Sequence, residues 1–175
     1  MVKKWRSSFL AVLMVLAMAI LAGCGGSDTT TATESGETTT AKVESKTSFA
    51  VGESYEDRSV KITFVSANDD FTNYSRYAEI PAGYKVVEAI FTFENKGSDD
   101  FLATDMDFTC YADNESCDNF YSVNDTYMGF SDNLSSGKTA SNRAVYFTVP
   151  ENASSIVLEY ETDFWSGEKI QFVIK

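Results

Sequence analysis

The chain has 175 residues, with 26 acidic side chains against 14 basic ones and no histidine. That surplus of negative charge disfavours nucleic acid and anionic lipid surfaces as partners and suits a soluble, self-repelling surface. The missing imidazole removes the usual general base, the usual zinc ligand and every Ser-His or Cys-His dyad, which excludes most familiar hydrolase chemistry.

In chain order, Lys3, Lys4 and Arg6 precede an apolar run over residues 9–22. The run is short for a mature membrane span and reads as a secretory signal. It ends in Leu21-Ala22-Gly23-Cys24, which resembles the lipobox of bacterial lipoproteins. The resemblance implies a diacylglyceryl group on the Cys24 sulfur, cleavage before it, and a mature protein held by lipid on the extracellular face of a bacterial cell membrane. Two acyl chains give stable anchoring where one gives only marginal binding. Residues 1–23 are therefore expected to be a lipoprotein signal peptide. Residues 24–47, the lipidated cysteine and a stretch rich in Thr, Ser, Gly and Glu, have too little to bury to order themselves. They form a flexible linker with a reach of roughly 25 Å for about twenty residues.

The folded domain is expected over residues 48–175. Its first clear strand is residues 58–66, where Val60, Ile62 and Phe64 alternate with Lys61 and Thr63. Residues 68–83 show turn formers and scattered aromatics without a period, and read as a long connection closed by Pro81 and Gly83. Residues 84–94 form a central strand: Val87, Ala89, Phe91 and Phe93 share one face, and Val86 and Ile90 make the other partly apolar. After a turn at 95–100, Met106, Phe108, Cys110 and Ala112 recur every second residue, as in a half-buried strand. An acidic turn follows at 113–119, then an aromatic, extended stretch at 120–130. Residues 144–149 make a strand stopped by Pro150. Ile156, Leu158 and Tyr160 alternate in the next strand, residues 164–167 turn, and Ile170, Phe172 and Ile174 alternate in the last. No stretch of the mature chain has a helical period, and the short, turn-punctuated strands argue an all-β fold, a sandwich or a barrel, with an antiparallel sandwich favoured.

Three stretches carry a family resemblance: Pro81-Ala82-Gly83-Tyr84-Lys85-Val86-Val87 leading into Phe91-Thr92-Phe93-Glu94-Asn95-Lys96-Gly97, then residues 134–137, then Val145-Tyr146-Phe147-Thr148-Val149-Pro150. Together they resemble the telokin-like domains of unknown function found in many Gram-positive lipoproteins. The resemblance covers about residues 48–175 and implies an immunoglobulin-like sandwich, with no activity attached. Where that family places a glycine in the hairpin after the third core strand, this chain has Ala112-Asp113-Asn114-Glu115-Ser116, flanked by two cysteines.

Those two, Cys110 and Cys117, are too few for a four-cysteine zinc site and too far apart for a C-x-x-C redox pair. In an exported protein a disulfide is expected, closing a loop of about eight residues and adding roughly 2.5 kcal/mol on the chain-entropy model. Asp113, Asn114, Glu115 and Asp118, or Asp69 and Asp70, offer oxygens to a cation, but the EF-hand loop pattern is absent and acidic turns are usually only solvated. No metal and no cofactor are expected. Aromatics off the core period are Phe71, Tyr74, Tyr77 and Tyr84 in or beside the connection, Tyr121 and Tyr127 after the cysteine turn, and Trp165 at the last hairpin. Of these, Tyr74, Tyr77 and Trp165 are the candidate contact residues, set among polar neighbours in irregular segments. The reasoning is that apolar strand positions are already committed to the inter-sheet core.

The function expected from the sequence is a lipid-anchored, non-catalytic interaction module at the bacterial surface. Its partners would be the membrane, through Cys24, and an unidentified protein or cell-wall carbohydrate. The rival readings are a structural envelope spacer and a glycosidase working with two carboxylates.

Overall fold

The computed structural model describes residues 46–123, 129–163 and 167–175. The signal peptide, Cys24, nearly all of the linker, Tyr127 and Trp165 lie outside the described residues. The strands are β1 (Ser48–Phe49), β2 (Ser54–Glu56), β3 (Val60–Phe71), β4 (Tyr84–Asn95), β5 (Phe101–Thr104), β6 (Phe108–Ala112), β7 (Glu115–Ser116), β8 (Asp118–Asn119), β9 (Ser131–Leu134), β10 (Thr139–Pro150), β11 (Ile156–Asp163) and β12 (Glu168–Val173). A 3-10 turn covers Asp105–Asp107.

Two five-stranded sheets form the immunoglobulin-like sandwich, with a two-stranded ribbon of β5 and β9 beside them. The first sheet runs β1-β12-β11-β6-β7 and the second β2-β3-β4-β10-β8. Pairing is antiparallel except where β1 lies parallel to β12, Ser48 opposite Gln171. Lys46 and Thr47 are already tied to this edge, Lys46 by an ion pair with Glu53 and Thr47 by its carbonyl, which accepts from the Gln171 N–H.

The strict alternation of the strands builds the core. From the second sheet, Phe64, Phe91 and Phe93 point inward; from the first, Phe108, Tyr160 and Phe172 meet them. Phe91 is the hub, with ring centroids 5.0 Å from Phe64, 4.7 Å from Phe108 and 4.9 Å from Phe172. Burying each such ring contributes roughly 1.5–3 kcal/mol. The one core polar group on β4, Asn95, is satisfied: its amide donates to the carbonyls of Asp99 and Leu134, and its oxygen accepts from the Gly97 N–H.

Several local expectations are corrected. β3 continues to Phe71 because bulges interrupt its alternation: Phe64 pairs with Phe91 but Ser66 with Ile90, and a second shift separates Asn68 from Phe71. The polar Asn68-Asp69-Asp70 run thus lies inside the strand, Asn68 opposite Glu88 and Asp69 and Asp70 in the second bulge. Met106 does not share a strand face with Phe108. It sits in the 3-10 turn, capped by Thr104, and is 83% exposed. The acidic turn contains a two-residue hairpin loop, Asp113 and Asn114, both with positive φ (49° and 70°). Asx residues tolerate that region and so stand in for the glycine of the related hairpins. Pro150 is the last residue of β10, opposite Tyr84, not the residue after it.

One difference positions the site. The outward side of the second sheet is not bare. Phe71, Val86, Phe120 and Tyr146 form a second buried cluster there, with Tyr74, Ile80, Val123 and Ala144 packed against it. The irregular segments 72–83 and 120–123 lie on this face, joined to each other where Tyr74 bridges Val123 and the Ser75 N–H donates to the Ser122 carbonyl.

Candidate functional site

Beside that second cluster the outer face of the sheet opens into a cleft of about 680 Å³. Its floor is made by β4 and β10 through Glu88, Ala144 and Tyr146, with Phe71 at one end. Its wall is the strand lead-in Gly129, Phe130, Ser131 and Asp132. A bulge in β10 between Ala140 and Arg143 places Asn142 at φ 55° and turns Arg143 toward that wall. Bulges that re-aim a side chain are common beside binding sites.

Two bonded pairs set the chemistry. Arg143 meets Asp132 at two points, Nε to Oδ2 at 2.5 Å and Nη2 to Oδ1 at 2.8 Å, while Nη1 donates to the Ser141 carbonyl at 3.3 Å. The guanidinium's hydrogen bonds hold the Asp132 carboxyl below its usual range. The Tyr146 hydroxyl donates to Glu88 Oε1 at 2.7 Å. Burial, and then the Glu88 carboxylate, push the Tyr146 phenol well above its ordinary range, so it stays a proton donor. The arrangement can present fixed donors and acceptors to a ligand.

None of these residues stood out in the sequence, where Glu88, Asp132 and Arg143 are three ordinary charges far apart in the chain. The available signal was the apolar content of the outward face of β4 and β10, Val86, Ile90, Ala144 and Tyr146, which marks a face covered by something.

Of the residues expected from the sequence, those that the structure describes do not line this cleft. Tyr74 is half-buried, edge-on to Phe120 with ring centroids 5.9 Å apart, and lines a smaller pocket of about 330 Å³ with Tyr84 and Lys85. Tyr77 is 76% exposed, with the Arg76 guanidinium 4.6 Å from its ring centre and bonded to its hydroxyl. Trp165 and Cys24 lie outside the described residues. Cys110 and Cys117 are both thiols, the first buried and the second half-buried, and the Cys117 N–H donates to the Cys110 carbonyl at 2.9 Å. The acidic hairpin is tied to the loop between β10 and β11: the Asp113 carboxylate accepts from the N–H groups of Ser154 and Ser155 at 2.9–3.1 Å. Asp69 pairs with Lys85 at 3.2 Å. Among the described residues no group of three or more His, Cys, Asp or Glu side chains gathers as a metal site, and no helix is long and apolar enough to cross a membrane.

Fold and topology together define an immunoglobulin-like β-sandwich module. Over residues 49–170 the chain matches a domain of unknown function, DUF4352, and it belongs to that family. Among solved structures, it is similar to a candidate lipoprotein (ycdA) of Bacillus subtilis at 18% identity and a TM-score of 0.54, over 75% of this chain. The chain spans 39% of the length of that protein. The yjhA protein of Bacillus subtilis is 16% identical with a TM-score of 0.49, over 72% of this chain and 98% of its own. An uncharacterised β-sandwich protein of Clostridium difficile is 13% identical with a TM-score of 0.45, over 77% and 99% of the two chains. No functionally curated protein is detectably similar in sequence.

Proposed function

We propose that the mature protein is a non-catalytic binding module, anchored through lipid on Cys24 to the outer face of a bacterial cell membrane, and that it receives its partner in the cleft over β4 and β10. The anchor is supported by the Leu21-Ala22-Gly23-Cys24 junction and by the likeness in fold to a candidate lipoprotein. The observation that carries the binding role is the cleft itself, where a two-point Arg143–Asp132 pair and a Tyr146–Glu88 bond fix oriented polar groups between the floor and the wall. Such sites, mostly pre-formed with a few oriented polar groups, are how small concave surfaces recognise ligands. A glycosidase needs one of its two carboxyls kept protonated as the acid. Asp132, held ionised by Arg143, does not suit that role.

The full-length protein, cross-linked in intact cells and recovered from solubilised envelope, tests the reading. A partner that cross-links to wild type should be lost from Arg143→Ala and kept by Glu159→Gln, whose side chain lies on the first sheet beside Lys169. Equal recovery from all three would overturn the cleft as the seat. For the anchor, Cys24→Ser should leave the precursor uncleaved at this site and without lipid. Unchanged mature mass and detergent partitioning would refute it.

A further inference from the structure

We infer that the cleft takes a primary ammonium group, seated against the carboxylate of Glu88. This rests on the cleft as the partner's seat and adds the chemistry of what sits there. Glu88 is half-buried on the outward side of the central strand, opposite Asn68 on β3 and Tyr146 on β10. Its bonded neighbour is a neutral phenol, and none of the ion pairs among the described residues includes it. Among the described residues the one cation lining the cleft, Arg143, is compensated at two points by Asp132.

Among the described residues the cleft therefore holds two carboxylates against one guanidinium, an excess of one negative charge inside a chain that carries 26 acidic residues against 14 basic ones. A half-buried carboxylate is completed best by a cation that can also hydrogen-bond. An anionic ligand would meet an Arg143 already neutralised and a repelling field. A neutral sugar would hydrogen-bond to Glu88 and leave its charge uncompensated. An ammonium group answers both needs, because it brings a positive charge and three donors: one for Glu88, the others for oxygen acceptors on the rim such as the Asn142 amide. The bond from Tyr146 to Oε1 orients the carboxylate.

Two sources carry this group, a lysine-type side chain of a peptide and a free polyamine. The full-length protein in detergent is titrated calorimetrically with acetyl-Gly-Lys-Gly-amide and with 1,5-diaminopentane, each beside its fully acetylated form. Saturable binding is expected, weakening as salt rises and lost on acetylation. Glu88→Gln, which keeps the side-chain shape and an acceptor for Tyr146, should weaken it by about tenfold or more, while Glu159→Gln should not. Binding of both amines shows that the ammonium suffices; binding of the peptide alone shows that the flanking amides are read as well. Equal binding of the acetylated forms, wild-type binding by Glu88→Gln, or no binding of either amine overturns the inference. If no amine binds but Arg143→Ala still loses its envelope partner, the ligand class is wrong and the cleft reading stands. If Arg143→Ala keeps its partner too, both fall.

Discussion

Gly129 lies directly against the buried carboxylate of Asp105: a Cβ at position 129 would come 2.5 Å from Asp105 Oδ2 and 3.0 Å from its Cγ. The contact joins the 3-10 turn to the lead-in of β9, helped by the Asp105 N–H, which donates to the Phe130 carbonyl at 3.3 Å. Because residues 129–132 are one wall of the cleft, this close approach sets where Asp132 stands relative to Arg143.

Gly129→Ala should therefore be costly twice over, through its positive φ of 84° and through the collision. A loss of about 2–3 kcal/mol is expected from strain plus displacement. Gly83 has the same φ of 84° with nothing within 4 Å of its Cβ position, so Gly83→Ala should cost only about 1 kcal/mol. Urea unfolding midpoints compare the two, and equal losses would show that Asp105 moves aside freely.

The two described tyrosines that drew attention in the sequence should separate in the same assay. Tyr74 packs on Phe120 in the second cluster, so Tyr74→Ala should cost about 2–3 kcal/mol. Tyr77, 76% exposed, should cost within about 0.5 kcal/mol when changed to Ala. A stability loss at Tyr77 matching that at Tyr74 would contradict the packing described here.

The inter-sheet core was legible because period-two alternation is its direct physical consequence: Val145, Phe147 and Val149, then Ile156, Leu158 and Tyr160, are all buried as their spacing requires. The outward cluster was not, since it is assembled from Phe71, Val86, Phe120 and Tyr146, distant residues with no shared period. Val86, read from the sequence as part of a second, partly apolar face of the central strand, is buried in that cluster, whereas at Tyr146 the premise that apolar strand positions are committed to the inter-sheet core fails. Met106 shows the opposite error, an alternation continued by chance into a turn that points it at solvent. Arg143 was invisible as a site residue because a bulge, which leaves little trace in composition, decides its direction.

The cysteine pair can be tested by oxidation. The hairpin register, Tyr111 opposite Ser116 and Ala112 opposite Glu115, sets Cys110 opposite Cys117. Directly opposed bonded residues have Cα atoms about 5.5 Å apart, inside the range a disulfide bridges. Burial pushes both thiols up from their ordinary range, Cys110 far more, so neither is a ready thiolate once folded. Oxidation should thus be slow in the native protein and quick when refolding takes place in a glutathione redox buffer. Peptide mapping without reductant should then find one linked peptide, with a melting temperature above that of the thiol form. Ready alkylation of both cysteines after such refolding would exclude the bridge.

Two carboxyls should respond to pH with opposite signs. Asp107, half-buried, is raised above the usual range by burial first; the Tyr160 hydroxyl bond pulls it down, and the Glu161 and Asp105 charges push it up further. A raised acid binds its proton more tightly in the folded state, so stability is fullest below the ordinary Asp value of about 3.9 and is lost as pH rises through the folded value. Asp107→Asn keeps an acceptor for Tyr160 and has no proton to lose, so it should melt higher than wild type at about pH 7 and alongside it at about pH 3. Asp132 is lowered, by its bonds to Arg143 first and by that residue's charge, against an opposing effect of burial. Its contribution is present above the ordinary value and lost as pH falls through the folded one, so Asp132→Asn should melt lower than wild type at about pH 7, with the gap closing in acid. With side chains 36% and 28% exposed, the Arg143–Asp132 pair is screened, and the loss should stay within about 1 kcal/mol. Melting curves of the three proteins across that range give two difference profiles. Profiles of the same sign, or an Asp132→Asn gap that widens in acid, would show that burial and the guanidinium do not control these carboxyls as described.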